Sequence, residues 1–196
     1  MASTSIWRQN ISASASNLLA ALAVMAATPL TATPAAQPSN AAAQAATAQP
    51  ASRFVGSWEG TLEFRNIATG AQHKVPATML GKLQPDGKAL LDLTIDDGKG
   101  HIVRQPATIQ LDAGSKRLFR NPGDTSIAFN VTGNMTPAAT EPLALTLLGR
   151  GSEDGRPADI RETLNITGDT LVWGRETRID GQDWRFRNEY RLTRKP

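Results

Sequence analysis

From Arg53 onward, polar and apolar residues alternate almost one by one, and no other feature constrains the fold as tightly. A period of two sends successive side chains to opposite faces of an extended strand, whereas no window sustains apolar residues at i, i+3, i+4 and i+7, as a half-buried helix would. In the first strand Phe54, Gly56, Trp58, Gly60, Leu62 and Phe64 share one parity, and Ser57, Glu59, Thr61, Glu63 and Arg65 share the other. One face is buried and one is wet. Further strands are expected over 75–83, 89–95, 101–111, 116–120, 125–131, 143–148, 160–167, 170–179 and 183–193. The chain is therefore all-β, with about ten strands at the short spacing of a sandwich or barrel.

The turns then set the register, because a slip of one residue would send every side chain to the wrong face. Gly168-Asp169 as a two-residue hairpin pairs Ile166 with Leu171, Leu164 with Trp173, Glu162 with Arg175 and Ile160 with Thr177. Asp180-Gly181 read the same way pairs Thr177 with Trp184, Arg175 with Phe186, Trp173 with Asn188 and Leu171 with Tyr190. Pro85-Asp86-Gly87 and Gly98-Lys99-Gly100 as three-residue loops align Met79 with Leu93 and Ile95 with Val103. Strands joined in this way form an antiparallel meander, and a long meander removes its edges by closing. Gly149-Arg150-Gly151-Ser152-Glu153-Asp154-Gly155 is rich in glycine but lacks the Gly-Lys-Ser/Thr ending of a phosphate-binding loop, so a mobile loop is expected there.

Composition splits the chain in two. All 16 glycines lie after Ser52, and Arg8 is the only charge before Arg53. Arg8, an apolar run over Leu18–Ala27 and the small residues that follow it read as a secretory signal peptide, assigned to 1–35 with cleavage after Ala35. Ten apolar residues are too few for a membrane-spanning helix, which needs roughly 20. Residues 36–52 are rich in alanine and proline, carry no charge and cannot bury enough surface to fold, so a disordered linker is expected before a domain at 53–196. The chain has no cysteine. In an exported protein this favours a bacterial periplasm, or secretion from bacteria, over a disulfide-forming animal pathway.

Phe54-Val55-Gly56-Ser57-Trp58-Glu59-Gly60 resembles the Gly-x-Trp signature at the first strand of lipocalin-like (calycin) barrels. The resemblance implies a barrel with a ligand cavity, and an arginine beyond the last strand packed across the tryptophan. That arginine maps onto Arg194, which shares the parity of Tyr190 and Leu192. Gly56, Trp58 and Arg194 are thus the expected structural signature.

The chemistry left over lies on the inward parity of the last three strands: Glu162, Arg175, Asn188 and Tyr190, with Trp173, Phe186 and Leu164 around them. An acid and a guanidinium turned inward cost several kcal/mol each to desolvate unless they pair or meet water. They are therefore either a structural ion pair or the polar end of a cavity. The leading expectation is a barrel that binds a small, mostly apolar molecule with a polar end, anchored by Arg175. The alternative is a module that binds a periplasmic protein, as an inhibitor or envelope-assembly factor would. No serine, histidine or cysteine has a nucleophile-and-base arrangement, so no enzyme is expected. No cofactor or metal is expected either, since His73 and His101 are the only histidines and zinc sites need three or four convergent ligands. A nucleic-acid partner is not expected. On a strand, the aromatics and arginines of 184–191 would face opposite ways, rings to the core and arginines to solvent.

Overall fold

Each strand pairs with its neighbours in sequence, and the last pairs with the first. The computed structural model describes residues 49–66, 69–98, 100–121 and 126–196; the expected signal peptide and the linker up to residue 48 lie outside the described residues. The strands are β1 (Gly56–Arg65), β2 (Gln72–Leu83), β3 (Ala89–Asp96), β4 (Ile102–Asp112), β5 (Arg117–Asn121), β6 (Ile127–Thr132), β7 (Leu143–Glu153), β8 (Arg156–Thr167), β9 (Thr170–Ile179) and β10 (Arg185–Arg194). They form a closed antiparallel barrel in which β1 lies between β2 and β10. Among the described residues, no helix is long and apolar enough to cross a membrane.

Three of the four expected turns set the observed register. Thr167 pairs with Thr170, Leu164 with Trp173, Glu162 with Arg175 and Ile160 with Thr177. Met79 pairs with Leu93 and Ile95 with Val103. Trp58 lies opposite Arg194 across the closing seam.

The structure corrects the sequence in three places. The β9–β10 connection is longer than a two-residue turn. Gln182 N–H donates to the Ile179 carbonyl at 2.9 Å, but β10 begins only at Arg185, and a bulge between Phe186 and Asn188 shifts the ladder again. Thr177 therefore pairs with Arg185, Phe186 with Glu176, Asn188 with Arg175 and Tyr190 with Trp173. A bulge places two residues opposite one and re-aims the side chains before it. Phe186 shares the outer face with Glu176, and the Trp184 ring lies against the guanidiniums of Arg161 and Arg178 at 4.5 and 4.8 Å. Arg187, expected in solvent, instead contacts Glu153 at 2.5 Å with only 13% of its side chain exposed.

Second, 149–155 is a continuation of β7 and a tight turn rather than a loop. Asp154 and Gly155 both have positive φ, 51° and 74°, the geometry of a two-residue hairpin that matches strand twist. A Cβ on Gly149 would lie 2.8 Å from the Phe129 ring, so the ring fills the space a side chain would take. Third, the packed body starts before Arg53. Pro50–Phe54 form a short 3-10 turn in which Ala51 and Phe54 are buried, so Phe54 caps the barrel from below instead of beginning a strand.

The capped end is the apolar one. Phe54, Trp58, Leu62, Phe129, Leu143, Leu164 and Leu171 are each at most 1% exposed, and the Phe54 ring packs on Trp173 with centroids 6.0 Å apart. The Trp58 indole N–H donates to the Phe54 carbonyl at 3.0 Å. Arg194 lays its guanidinium 4.1 Å from the Trp58 ring centroid and donates to the carbonyls of Val55 and Arg53. Gly56 has φ +116°, and a Cβ there would meet Arg194 Nη1 at 2.9 Å. The glycine of the signature thus serves two needs at once, the bend from the cap into β1 and the seat of the arginine.

Candidate functional site

The barrel lumen changes character halfway up. Glu162, at mid-height on β8, is fully buried and gathers groups from two other strands. The Trp173 indole N–H donates to its Oε2 at 2.9 Å. Arg120, from β5, donates to Oε2 at 3.2 Å and places Nη2 2.9 Å from Oε1. Arg175 Nε stands 3.2 Å from the same Oε1. Neither approach to Oε1 is directed well enough to be a hydrogen bond, and Arg120 Nε and Arg175 Nε also lack a hydrogen-bond partner. These contacts are ionic, and both guanidiniums keep N–H groups to offer.

Two cations therefore share one carboxylate inside the barrel. The Arg120 guanidinium lies 5.6 Å from the centroid of the Phe129 ring and 5.5 Å from that of Trp173, so aromatic faces offset part of its desolvation. Burial first, and then the charge of Arg120, pull the pKa of Arg175 below the ordinary guanidinium value, against the opposing pull of Glu162. A guanidinium still stays charged at neutral pH. The side chains of Arg120 and Arg175 are 15% and 27% exposed, so solvent reaches the lumen from the open end.

Tyr190 and Asn188 complete the polar half. The Tyr190 hydroxyl lies 3.4 Å from Gln105 Oε1 of β4, and burial pushes its pKa up to about 12. Asn188 stands opposite Arg175 on β10. Of the expected site, the structure brings together Arg175, Glu162, Trp173, Asn188 and Tyr190, and leaves Phe186 on the outer wall. The sequence reading missed Arg120 and Gln105. Arg120 shares the parity of the buried Leu118, and Gln105 that of Ala107 and Ile109; both become visible once parity is counted on every strand.

Above this cluster, at the open end, a cavity of about 90 Å³ is lined by Arg65, Arg156, Thr177, Gln182, Arg185 and Arg187 together with the acids Glu153 and Asp154. On the outer wall a shallow groove of about 550 Å³ runs past Leu148, Arg150, Asp159, Arg178 and Trp184. Its cations are matched by acids: Asp159 contacts Arg150 at 3.3 Å and Arg178 at 2.8 Å, and Arg161 contacts Glu176 at 2.7 Å. Among the described residues no cluster of three histidine, cysteine or acidic side chains could hold a metal ion. His73 instead stacks on Phe64, with ring centroids 5.4 Å apart.

Similarity to known proteins lies in shape. The crystal structure of Rv2717c from M. tuberculosis superposes with a TM-score of 0.56 over 78% of this chain and 99% of that one, at 12% sequence identity. At that identity the likeness is one of fold. No protein-family profile and no curated protein sequence matches the chain.

Proposed function

We propose that this protein is an exported, lipocalin-like binding barrel that takes a small, mostly apolar molecule with its polar, anionic end held by Arg120 and Arg175. One observation carries the reading: two guanidiniums converge on a single buried carboxylate, over an apolar floor, and leave the lumen one positive charge in excess. A pair built only to pin the barrel would balance its charges. Ten strands also make a wider barrel than eight, in which side chains just fill the interior, so a cavity above the floor is the expected geometry. Guanidiniums suit binding better than proton transfer, since they do not give up their charge. The export component rests on Arg8 and the apolar run over Leu18–Ala27. It is checked by the intact mass of protein recovered outside the cytoplasm, which should lack about 26 to 36 residues.

The test is a displacement assay with a fluorescent anionic amphiphile, competed by a medium-chain carboxylic acid and by the alcohol of the same length. The acid should compete at least about tenfold better, the worth of one charge-assisted hydrogen bond. Arg120→Met with Glu162→Leu and Arg175→Met should fold and lose that preference. Equal competition by acid and alcohol, or an unchanged preference in the triple variant, would reject the assignment.

The alternative, a module for an envelope protein, has one feature in its favour, the outer groove beside the exposed Leu148. Retention of a partner on the wild-type barrel but not on Leu148→Glu would support it.

A further inference from the structure

The groups lining the lumen and rim carry more positive charge than the whole body. Arg65, Arg120, Arg156, Arg175, Arg185 and Arg187 face Glu153, Asp154 and Glu162, an excess of three cations. From Arg53 onward the body has 20 basic and 18 acidic residues, an excess of two. The rim cavity holds most of the surplus. Glu153 is spent on Arg187. Among the described residues, Arg65 donates its Nε to the Gly70 carbonyl at 3.3 Å. Arg156 and Arg185 are exposed and have no ion-pair or hydrogen-bond partner among the described residues. Gln182 keeps a buried amide oxygen without a partner. Since amide O and N are interchangeable at the level of shape, its NH2 can equally face the cavity as a donor. Thr177 adds a hydroxyl.

Size narrows the ligand. About 90 Å³ among guanidiniums and neutral donors is room for a tetrahedral oxyanion. Charge narrows it further. Four guanidiniums against two carboxylates leave a surplus of two, which a dianion would neutralise. Arginine is also the residue whose planar fork matches phosphate oxygens two at a time.

We infer that the rim cavity is a second binding site, distinct from the lumen cluster, for a dianionic phosphate group, with Arg156 and Arg185 as its principal ligands and Thr177 and Gln182 as neutral donors. The site stands on its own residues and does not depend on what the lumen binds. Its phosphate has two possible sources, free inorganic phosphate or the head of a phosphorylated amphiphile whose tail enters the barrel.

The test is calorimetric titration of the purified protein with inorganic phosphate, acetate and octyl phosphate at constant ionic strength. Inorganic phosphate should bind one to one and at least about tenfold tighter than acetate. Arg156→Gln with Arg185→Gln should weaken phosphate by about tenfold or more, with folding intact because neither side chain has a partner to lose. Arg104→Gln, which removes one charge on the outer face of β4 as either rim substitution alone would, should leave it unchanged. Phosphate binding no tighter than acetate, or weakened as much by Arg104→Gln as by removal of one rim arginine, would overturn the site and leave only diffuse attraction. Octyl phosphate binding tighter than inorganic phosphate, with the gain kept or raised in the more apolar lumen of the Arg120→Met, Glu162→Leu, Arg175→Met variant, would identify an amphiphile head as the source. Equal binding of the two phosphates would identify the free ion. Because that triple variant leaves the rim intact, a lumen reading that fails still leaves inorganic phosphate bound.

Discussion

At the closed end of the barrel, Trp58, Phe54 and Leu62 are at most 1% exposed, and the Trp58 indole and the Arg194 guanidinium both donate to backbone carbonyls. At the open end of the same strands, the buried Nε atoms of Arg120 and Arg175 make no hydrogen bond among the described residues. The two halves use opposite solutions to one problem, filling a tube too wide for ten inward rows of side chains to close alone. Below, large apolar groups and a 3-10 plug exclude water and supply stability. Above, charges admit water and forgo packing. Stability and the proposed binding are thus separable along the barrel axis, and substitutions at the two ends should report on different properties.

The largest effect expected is at the cap. Trp58→Ala should destabilise the fold by about 3 to 5 kcal/mol in urea unfolding, as for a buried aromatic, and leave the Phe54 carbonyl without its donor. A loss below about 1 kcal/mol would mean that the plug, not the tryptophan, closes the barrel. Next comes the charge cluster. Glu162→Gln strands two guanidiniums beside a neutral amide and should cost toward the lower end of about 3 to 5 kcal/mol, because both arginines are partly wet. Arg120→Met and Arg175→Met added to Glu162→Leu should recover most of it. If Glu162→Gln is silent, the open half is bulk water and the contrast between the ends is sharper than drawn here.

Arg194→Met should cost less, about 1 to 2 kcal/mol, through the lost stacking on Trp58 and the lost hydrogen bonds to Val55 and Arg53. Anionic ligand affinity should not change. The smallest effect is spectroscopic. Tyr190 is the sole tyrosine, so absorbance near 295 nm follows it alone, and its midpoint should lie near 12 instead of the ordinary 10.0. The folded state then holds that proton longer than the unfolded state does. Stability from this group is complete below pH 10 and declines as pH climbs from 10 towards 12. A midpoint near 10 while circular dichroism stays native would show water at the hydroxyl.

Much of the architecture was legible in the sequence, for a local reason. A period of two fixes which face a residue occupies, and turns of two or three residues carry that assignment from strand to strand, so Glu162 could be placed opposite Arg175; Arg194 beside Trp58 followed from the resemblance to Gly-x-Trp barrels. The failures came where geometry outran the local pattern. Asp180-Gly181 looks like a two-residue hairpin, but a bulge at 186–188 is written in backbone dihedrals and leaves no signature in side-chain type. The glycines of 149–151 suggested a loop because their role, making room for the Phe129 ring at Gly149 and the Ile160 side chain at Gly151, depends on other strands. Arg120 has inward parity on its own strand, but no turn joins it to its carboxylate partner, which lies 42 residues away.

The seam between β1 and β10 has a kinetic meaning. Every other strand pairing joins neighbours in sequence, so each hairpin can form and dissolve by itself while the chain is still open. The seam instead unites Val55 with Arg194, 139 residues apart, and cannot form until the meander has curled far enough to bring its edges together. The entropic cost grows only by about 0.6 kcal/mol per doubling of the loop. The delay comes from the order of events, since non-local pairing slows folding. Until the arginine reaches the tryptophan, two unpaired edges remain exposed, which makes this last step the point at which the chain is most open to pairing with another copy of itself.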